Sequence, residues 1–323
     1  MENYKNKQKW HGIVSNKRKD GTKYIVDVTV VPILDNEGEI KEYIGIRHDV
    51  TELKRIKDEI EAIHKHTRDS IEYASLIQHS LIPKNDIFKK YFSNYLAIWH
   101  PKDIVGGDIY LFEELRNDDE CMLMVIDCTG HGVPSAFVTM IVKSIERQIV
   151  ATIINRDEVV SPAKILSIFN KSMKHLLKQE EDDAIANAGF DGGILYYNKK
   201  DKQIKYAGAN TPLFYLDENN EYQTIKGSRH SVGYKASDPN YEFKEDIIDV
   251  KEGMQFYLTT DGYLDQNGGV KGFPFGKKRF KAIVEEYHEE SFADQQEVFL
   301  EELHEYQGDE DRNDDITLIA LKI

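Results

Sequence analysis

Asp127 closes the apolar run 122–126 and opens a glycine turn, with Gly130 and Gly132 on either side of His131. Pro134 then stands at the start of an apolar stretch reaching about Ile154, a helix-opening position where the missing N–H costs nothing. The arrangement recurs. The apolar run 254–258 leads through two threonines to Asp261-Gly262, with Asp265 beyond; Asp314 and Asp315 immediately precede the run 316–321; Gly106-Gly107-Asp108 precedes the run 109–112. Singly, each reads as a surface turn, because Asp and Gly are ordinary turn residues. Together, at the ends of apolar strands, they are read as converging on one site.

Carboxylates aimed at one point repel one another, and without cations some of them hold protons. Oxygen donors without paired Cys or His favour hard ions, Mg²⁺ or Mn²⁺, over zinc. Two such ions sharing a carboxylate can ready a water for in-line attack on phosphorus and neutralise the charge on the transferring phosphoryl group. This chemistry needs no serine nucleophile and no cysteine–histidine pair. Cys128 follows Asp127, but its side chain alternates away from it on a strand and reads as a small buried residue.

The elements that must position these acids follow from patterning. The chain has 323 residues, enough for one large domain and something smaller. A net charge of −15 argues against a nucleic-acid groove or an anionic membrane surface, and the two cysteines suggest no disulfide framework, so a reducing cytoplasm is expected. No run is apolar and long enough to span a bilayer. From residue 84 onward strands come in consecutive runs and helices are grouped: strands at 95–99, 104–112, 190–197, 204–207, 213–216, 242–250 and 254–258, and helices from Ser161-Pro162 to about Lys178, at 277–288 and at 292–306. That order argues an α+β layered domain rather than a doubly wound parallel sheet. Residues 52–81 contain no Pro or Gly and read as one helix. Leu53, Ile56, Ile60 and Ile63 recur at coiled-coil spacing, Thr67 and Ser70 interrupt, and Ile71, Ala74, Ile77 and Leu81 resume with shifted phase. A dimerising coiled coil and an amphipathic helix lying on its own domain both fit the second half.

Residues 1–51 read as three strands, with Tyr24, Val26, Val28 and Val30 alternating in the second, ending at Asp49-Val50-Thr51, where Thr51 can cap the helix. The stretch WHGIVSNKRKDGTKYIVDVTVVPILDNEGEIKEYIGIRHDVTE resembles the last three strands and exit motif of a PAS sensor domain. The strands that would form a PAS pocket are not matched, so no small ligand is expected here; the strands are read as a remnant packing on a neighbour or a second copy. Further on, VGGD (105–108), VIDCTGHGVPSAF (125–137), YAGANTPL (206–213), YLTTDGYLDQNGG (257–269) and NDDITLIAL (313–321) resemble, in order, the motifs of the SpoIIE-like bacterial phosphatases, members of the metal-dependent PPM class. SIEYASLIQHSLIP (70–83) resembles the segment that precedes that domain.

The resemblance implies two packed antiparallel sheets flanked by helices, within a chain divided as 1–51, 52–83 and 84–323. It implies that Asp127 bridges two Mn²⁺ or Mg²⁺ ions, that Cys128 offers its backbone carbonyl, that Asp261 and Asp314 bind the second ion, that Asp108 lies near the first, and that Asp315 orients Asp314. Leu111 stands where many relatives carry a second acid, and His131 where relatives often carry Lys; His131 reads first as a positively inclined or turn-compatible residue and second as a candidate acid for the leaving oxygen. Asp191 and Asn210 read equally as site residues or turn residues. Lys102 and His100 are the candidates for a phosphate grip. The expected function is hydrolysis of phosphoserine or phosphothreonine on a signalling protein, with a STAS-type anti-sigma antagonist as the implied substrate and a homodimer formed through the helix 52–81. The alternative is a catalytically degenerate scaffold that relays a sensor signal by binding a partner.

Overall fold

The computed structural model describes residues 7–155, 159–181 and 183–323. They form two compact units, Met1–Ser70 and Ile71–Ile323, so the boundary falls inside the long helix and not at either end of it.

In the first unit, β1 (Trp10–Lys17), β2 (Lys23–Leu34) and β3 (Ile40–Asp49) form an antiparallel sheet in the order β1-β2-β3. Val26 and Val28 are its buried residues, from the alternation seen in the sequence. Helix α1 (Thr51–His79) follows. Thr51 does not cap it as expected but is its first residue. The Thr51 hydroxyl instead accepts from the Ile25 N–H at 2.8 Å, and Asp49 accepts the Thr51 N–H at 3.1 Å, so the helix start is stitched to β2. Leu53, Ile56, Ile60 and Ile63 are exposed along α1.

The second unit is a four-layer sandwich. One sheet has the order β10-β9-β12-β15-β4, from β4 (Asn94–His100), β9 (Leu213–Leu216), β10 (Tyr222–Ile225), β12 (Gln255–Thr259) and β15 (Ile316–Lys322). The other has the order β11-β8-β7-β6-β5, from β5 (Asp108–Glu114), β6 (Glu120–Cys128), β7 (Phe190–Asn198), β8 (Gln203–Ala209) and β11 (Asp246–Asp249). All ladders are antiparallel. Alternation along β6 shows how the layers are specified. Met122, Met124, Ile126 and Cys128 pack against α2 (Val133–Asn155) and α3 (Pro162–Leu176), while Cys121, Leu123 and Val125 face the other sheet. That second sheet turns its outer face to α5 (Gly276–Tyr287) and α6 (Phe292–Gln307). Ser161 caps α3 as its sequence suggests, accepting the Lys164 N–H at 3.3 Å.

The expected strand 104–112 starts only at Asp108, and the expected strand 242–250 shrinks to Asp246–Asp249. β10 and the short pair β13 (Asn267–Gly268) and β14 (Phe273–Pro274) were not expected. Asp261 opens a short helix, α4 (Asp261–Leu264), instead of lying in a turn.

Candidate active site

Register brings three acids into one row. Asp108 on β5 pairs with Asp127 on β6, which pairs with Asp191 on β7. Directly opposed residues in an antiparallel sheet point to the same face. The alternation of β6 sends that face toward the second sheet, so the row lies at the end of the space between the sheets. From the other sheet come Thr260, Asp261, Asp314, Asp315 and Thr317. The Thr260 and Thr317 hydroxyls both donate to Asp108 Oδ2, at 2.7 and 2.8 Å, and the Thr317 N–H donates to Thr260 Oγ1 at 3.0 Å. The two sheets are thus joined at the site by a buried carboxylate.

Asp127 and Asp261 lie close enough for each carboxyl to disturb the ionisation of the other. Burial, then the charges of Asp108, Asp261 and Asp314, push the Asp127 carboxyl well above its ordinary range. Burial also raises Asp108 well above its ordinary range, opposed by its two threonine donors. Asp261 is raised too, by partial burial first and then, after the opposing bond from Asp127, by Asp265, Asp314 and Asp191. The Asp315 N–H donates to Asp314 Oδ1 at 2.8 Å.

Besides the bond from its N–H to Asp314, Asp315 has a further part. Its carboxylate grips the loop before β5, accepting from the Lys102 N–H through Oδ1 and from the Gly107 N–H through Oδ2, both at 2.6 Å. That loop lies so close that a Cβ at Gly107 would stand 2.6 Å from the Cys128 carbonyl oxygen and 2.7 Å from that of Gly130. On its far side Gln78 of α1 clamps Gly106: its amide donates to the Gly106 carbonyl at 2.7 Å and accepts the Gly106 N–H at 3.2 Å. Gln78 is 2% exposed.

The donors gathered here are oxygens, and burial sets carboxylates against one another in a way that divalent cations relieve. The chemistry of the set therefore fits Mg²⁺ or Mn²⁺. The acids form a cluster and not a closed cage: among the described residues no three His, Cys, Asp or Glu side chains stand as a ready metal-binding group.

Residues 117–323 match the family model of Stage II sporulation protein E (SpoIIE), well over half of the chain. The chain belongs to the SpoIIE family. Residues 1–52 match the PAS domain model, and 45 residues are 36% identical to a nitrogen fixation regulatory protein of Klebsiella oxytoca, over 14% of this chain and 9% of that one. Among solved structures, the SiaA-PP2C domain of Pseudomonas aeruginosa is similar at a TM-score of 0.70 and 32% identity, over 81% of this chain and 99% of that one. The PP2C phosphatase domain of SpoIIE from Bacillus subtilis, with a fragment of its regulatory domain, shares the fold at a TM-score of 0.54 and 18% identity, over 71% of this chain and 63% of that one. The phosphoserine phosphatase RsbP of Bacillus subtilis (strain 168) is 20% identical over 262 residues, 80% of this chain; the chain spans 58% of the length of RsbP.

Within this SpoIIE-family domain, the expected ligands Asp108, Asp127, Asp261 and Asp314 come within electrostatic reach of one another, while the Cys128 side chain turns away into the core against α2 and α3. His131 is half exposed, and its Nδ1 lies 2.8 Å from Asp103 Oδ2. Asp103 was not singled out in the sequence. Lys102 is occupied elsewhere, its Nζ donating to the Asn313 carbonyl at 2.9 Å. His100 ends the β4 ladder opposite Ile316, and its backbone carbonyl accepts from Arg312 at 3.3 Å. Asp191 lies opposite Asp127 by register, and Asn210 donates to both its oxygens, at 3.1 and 3.2 Å, and to Ser231 Oγ at 2.9 Å. Gln78 lay inside a recognised segment, but its role had no sequence signal.

Proposed function

We propose that this chain is a metal-dependent protein phosphatase that hydrolyses phosphoserine or phosphothreonine on a bacterial signalling protein, with a STAS-type antagonist as the implied substrate. The observation that carries this reading is the pairing of Asp108 with Asp127 at the end of one sheet, where Thr260 and Thr317 of the other sheet, flanking the strand ends that bear Asp261 and Asp314, bond to Asp108. Asp108, Asp127, Asp261, Asp314 and the Cys128 carbonyl would hold two Mn²⁺ or Mg²⁺ ions, which supply water activation and neutralisation of phosphoryl charge. Asp127 occupies the middle of the acid row, where it can serve both ions. Asp108 is fixed by two threonine hydroxyls, so its free oxygen has a set direction. His131, oriented by Asp103, is the group available to protonate the leaving seryl oxygen.

Regulation is proposed to run through α1. Gln78 lies in its last turn and holds both backbone groups of Gly106, two residues before Asp108. A change in the register or pairing of α1 therefore reaches the acid loop directly. The exposed stripe Leu53, Ile56, Ile60 and Ile63 is the proposed dimer seam.

The test is hydrolysis of an aryl phosphate with and without Mn²⁺. Activity should require the ion, and Asp127→Asn should lower kcat by at least about a thousandfold, the loss of a central electrostatic group. Turnover that survives both a chelator and Asp127→Asn refutes the reading. A calorimetric titration showing no Mn²⁺ binding to the wild type would instead support the degenerate scaffold.

A further inference from the structure

A groove of about 470 Å³ opens beside Asn210, between the β9–β10 hairpin and the first turns of α5. It is floored in part by the stacked rings of Phe214 and Tyr222. Five cationic side chains line it: Lys226 and Arg229 after β10, and Lys277, Lys278 and Lys281 on α5. All five are exposed, in a chain whose net charge is −15. Among the described residues, no acidic one lines the groove. Lys281 pairs with Glu285 at 3.4 Å and lies over the Tyr222 ring at 5.2 Å, while among the described residues none of the other four is held in an ion pair.

Helix stability does not account for this placement. Lys277 and Lys278 occupy the first turn of α5, where the helix dipole disfavours positive charge, and that turn contains no acidic residue. The groove is continuous with the acid row through Asn210, which lines it and donates to Asp191. A phosphorylated substrate approaching that row meets a strongly acidic molecule. Attraction must come from a local patch acting within about 8 Å at physiological salt.

We infer that this groove docks an acidic segment flanking the phosphorylated residue of the protein substrate, setting the direction in which the substrate chain crosses the site. The inference rests on the phosphatase reading for its biological setting, but docking can be measured without turnover. Two labelled phosphoserine peptides of the same core, one flanked by Asp and Glu and the other by Asn and Gln, are titrated with the full chain in the absence of divalent ions, and anisotropy is read.

The acidic peptide should bind more tightly, and the difference should shrink as salt rises. Lys277→Glu/Lys278→Glu should weaken acidic-peptide binding about tenfold and leave the neutral peptide unaffected. Lys226→Ala/Arg229→Ala, on the opposite wall, checks that the effect belongs to the groove and not to a misfolded α5. Equal binding of the two peptides by the wild type overturns the proposal. So does wild-type affinity for the acidic peptide in both double variants, or displacement of that peptide by an equal concentration of single-stranded oligonucleotide. Aryl phosphate turnover by the wild type with Mn²⁺ tests the phosphatase reading separately: its absence alongside intact peptide discrimination removes that reading and keeps the groove.

Discussion

Asp108 is 1% exposed, and its Oδ2 is held by hydroxyls from the opposite sheet, so its position depends on two residues more than a hundred and fifty positions away. Thr317→Val keeps the shape and removes one donor from a buried carboxylate. Leaving such a group short of a partner costs about 1–3 kcal/mol. We expect urea unfolding to show a loss in that range, and Mn²⁺-dependent turnover to fall as Asp108 loses its fixed direction. Thr317→Ser, which restores the donor, should recover most of both. A Thr317→Val protein as stable and as active as the wild type would show that Thr260 alone suffices. The carboxylate of Asp315 likewise has a part that no local pattern carries, holding the loop before β5. Asp314 and Asp315 are adjacent in the string, and nothing local to them shows that one also holds a distant loop. Only the contact of Asp315 with the Gly107 N–H, 208 positions apart, separates the loop-holding acid from the one that faces Asp127.

At the scale of elements, α1 is a clamp whose last turn is docked while its apolar stripe Leu53, Ile56, Ile60 and Ile63 is exposed. Gln78→Ala should free the Gly106 backbone and loosen the loop before Asp108. Because α1 contributes little else to the second unit's cores, the expected effect on global stability is small, about 1–2 kcal/mol. The Mn²⁺ concentration giving half-maximal rate should rise several-fold, with kcat at saturating ion largely retained. Equal metal dependence in Gln78→Ala and wild type would reduce α1 to a connector. The strongly patterned elements were legible: β6 as an apolar run ending in an acid, α3 by its Ser-Pro opening, α1 by its unbroken length. β10 was not, because its sequence Tyr-Gln-Thr-Ile is polar and short, and pairing with β9 alone makes it a strand. The stretch read as a strand at 242–250 is cut back because its ladder partner on β8 reaches only Asp246–Asp249. Likewise β5 begins late because Asp315 and Gln78 hold residues 106–107 as a loop.

Over the whole molecule, the four-layer sandwich and the meeting of acids from both sheets followed from the strand-end acids and the motif order, whereas the Asp108–Asp127–Asp191 row depends on ladder register, which no local pattern carries. The row also links stability to pH. Asp108, Asp127 and Asp261 are raised above the ordinary 3.8 by burial first and by their neighbours next, so the folded chain binds their protons more tightly than the unfolded chain does. Stability from these groups is therefore full below about pH 4 and is lost as pH rises through their raised range. Divalent ions act in the opposite sense, since they displace those protons and bind better as pH rises. Without divalent ions, the thermal midpoint should fall as pH rises above about 4 more steeply in the wild type than in Asp127→Asn, which cannot ionise at the centre of the row. Adding Mn²⁺ should raise the wild-type midpoint by an amount that grows with pH, and raise that of Asp127→Asn far less. Differential scanning calorimetry across that range decides the matter: parallel pH slopes in the two proteins, with or without the ion, would mean that the acids do not act as one electrostatic unit.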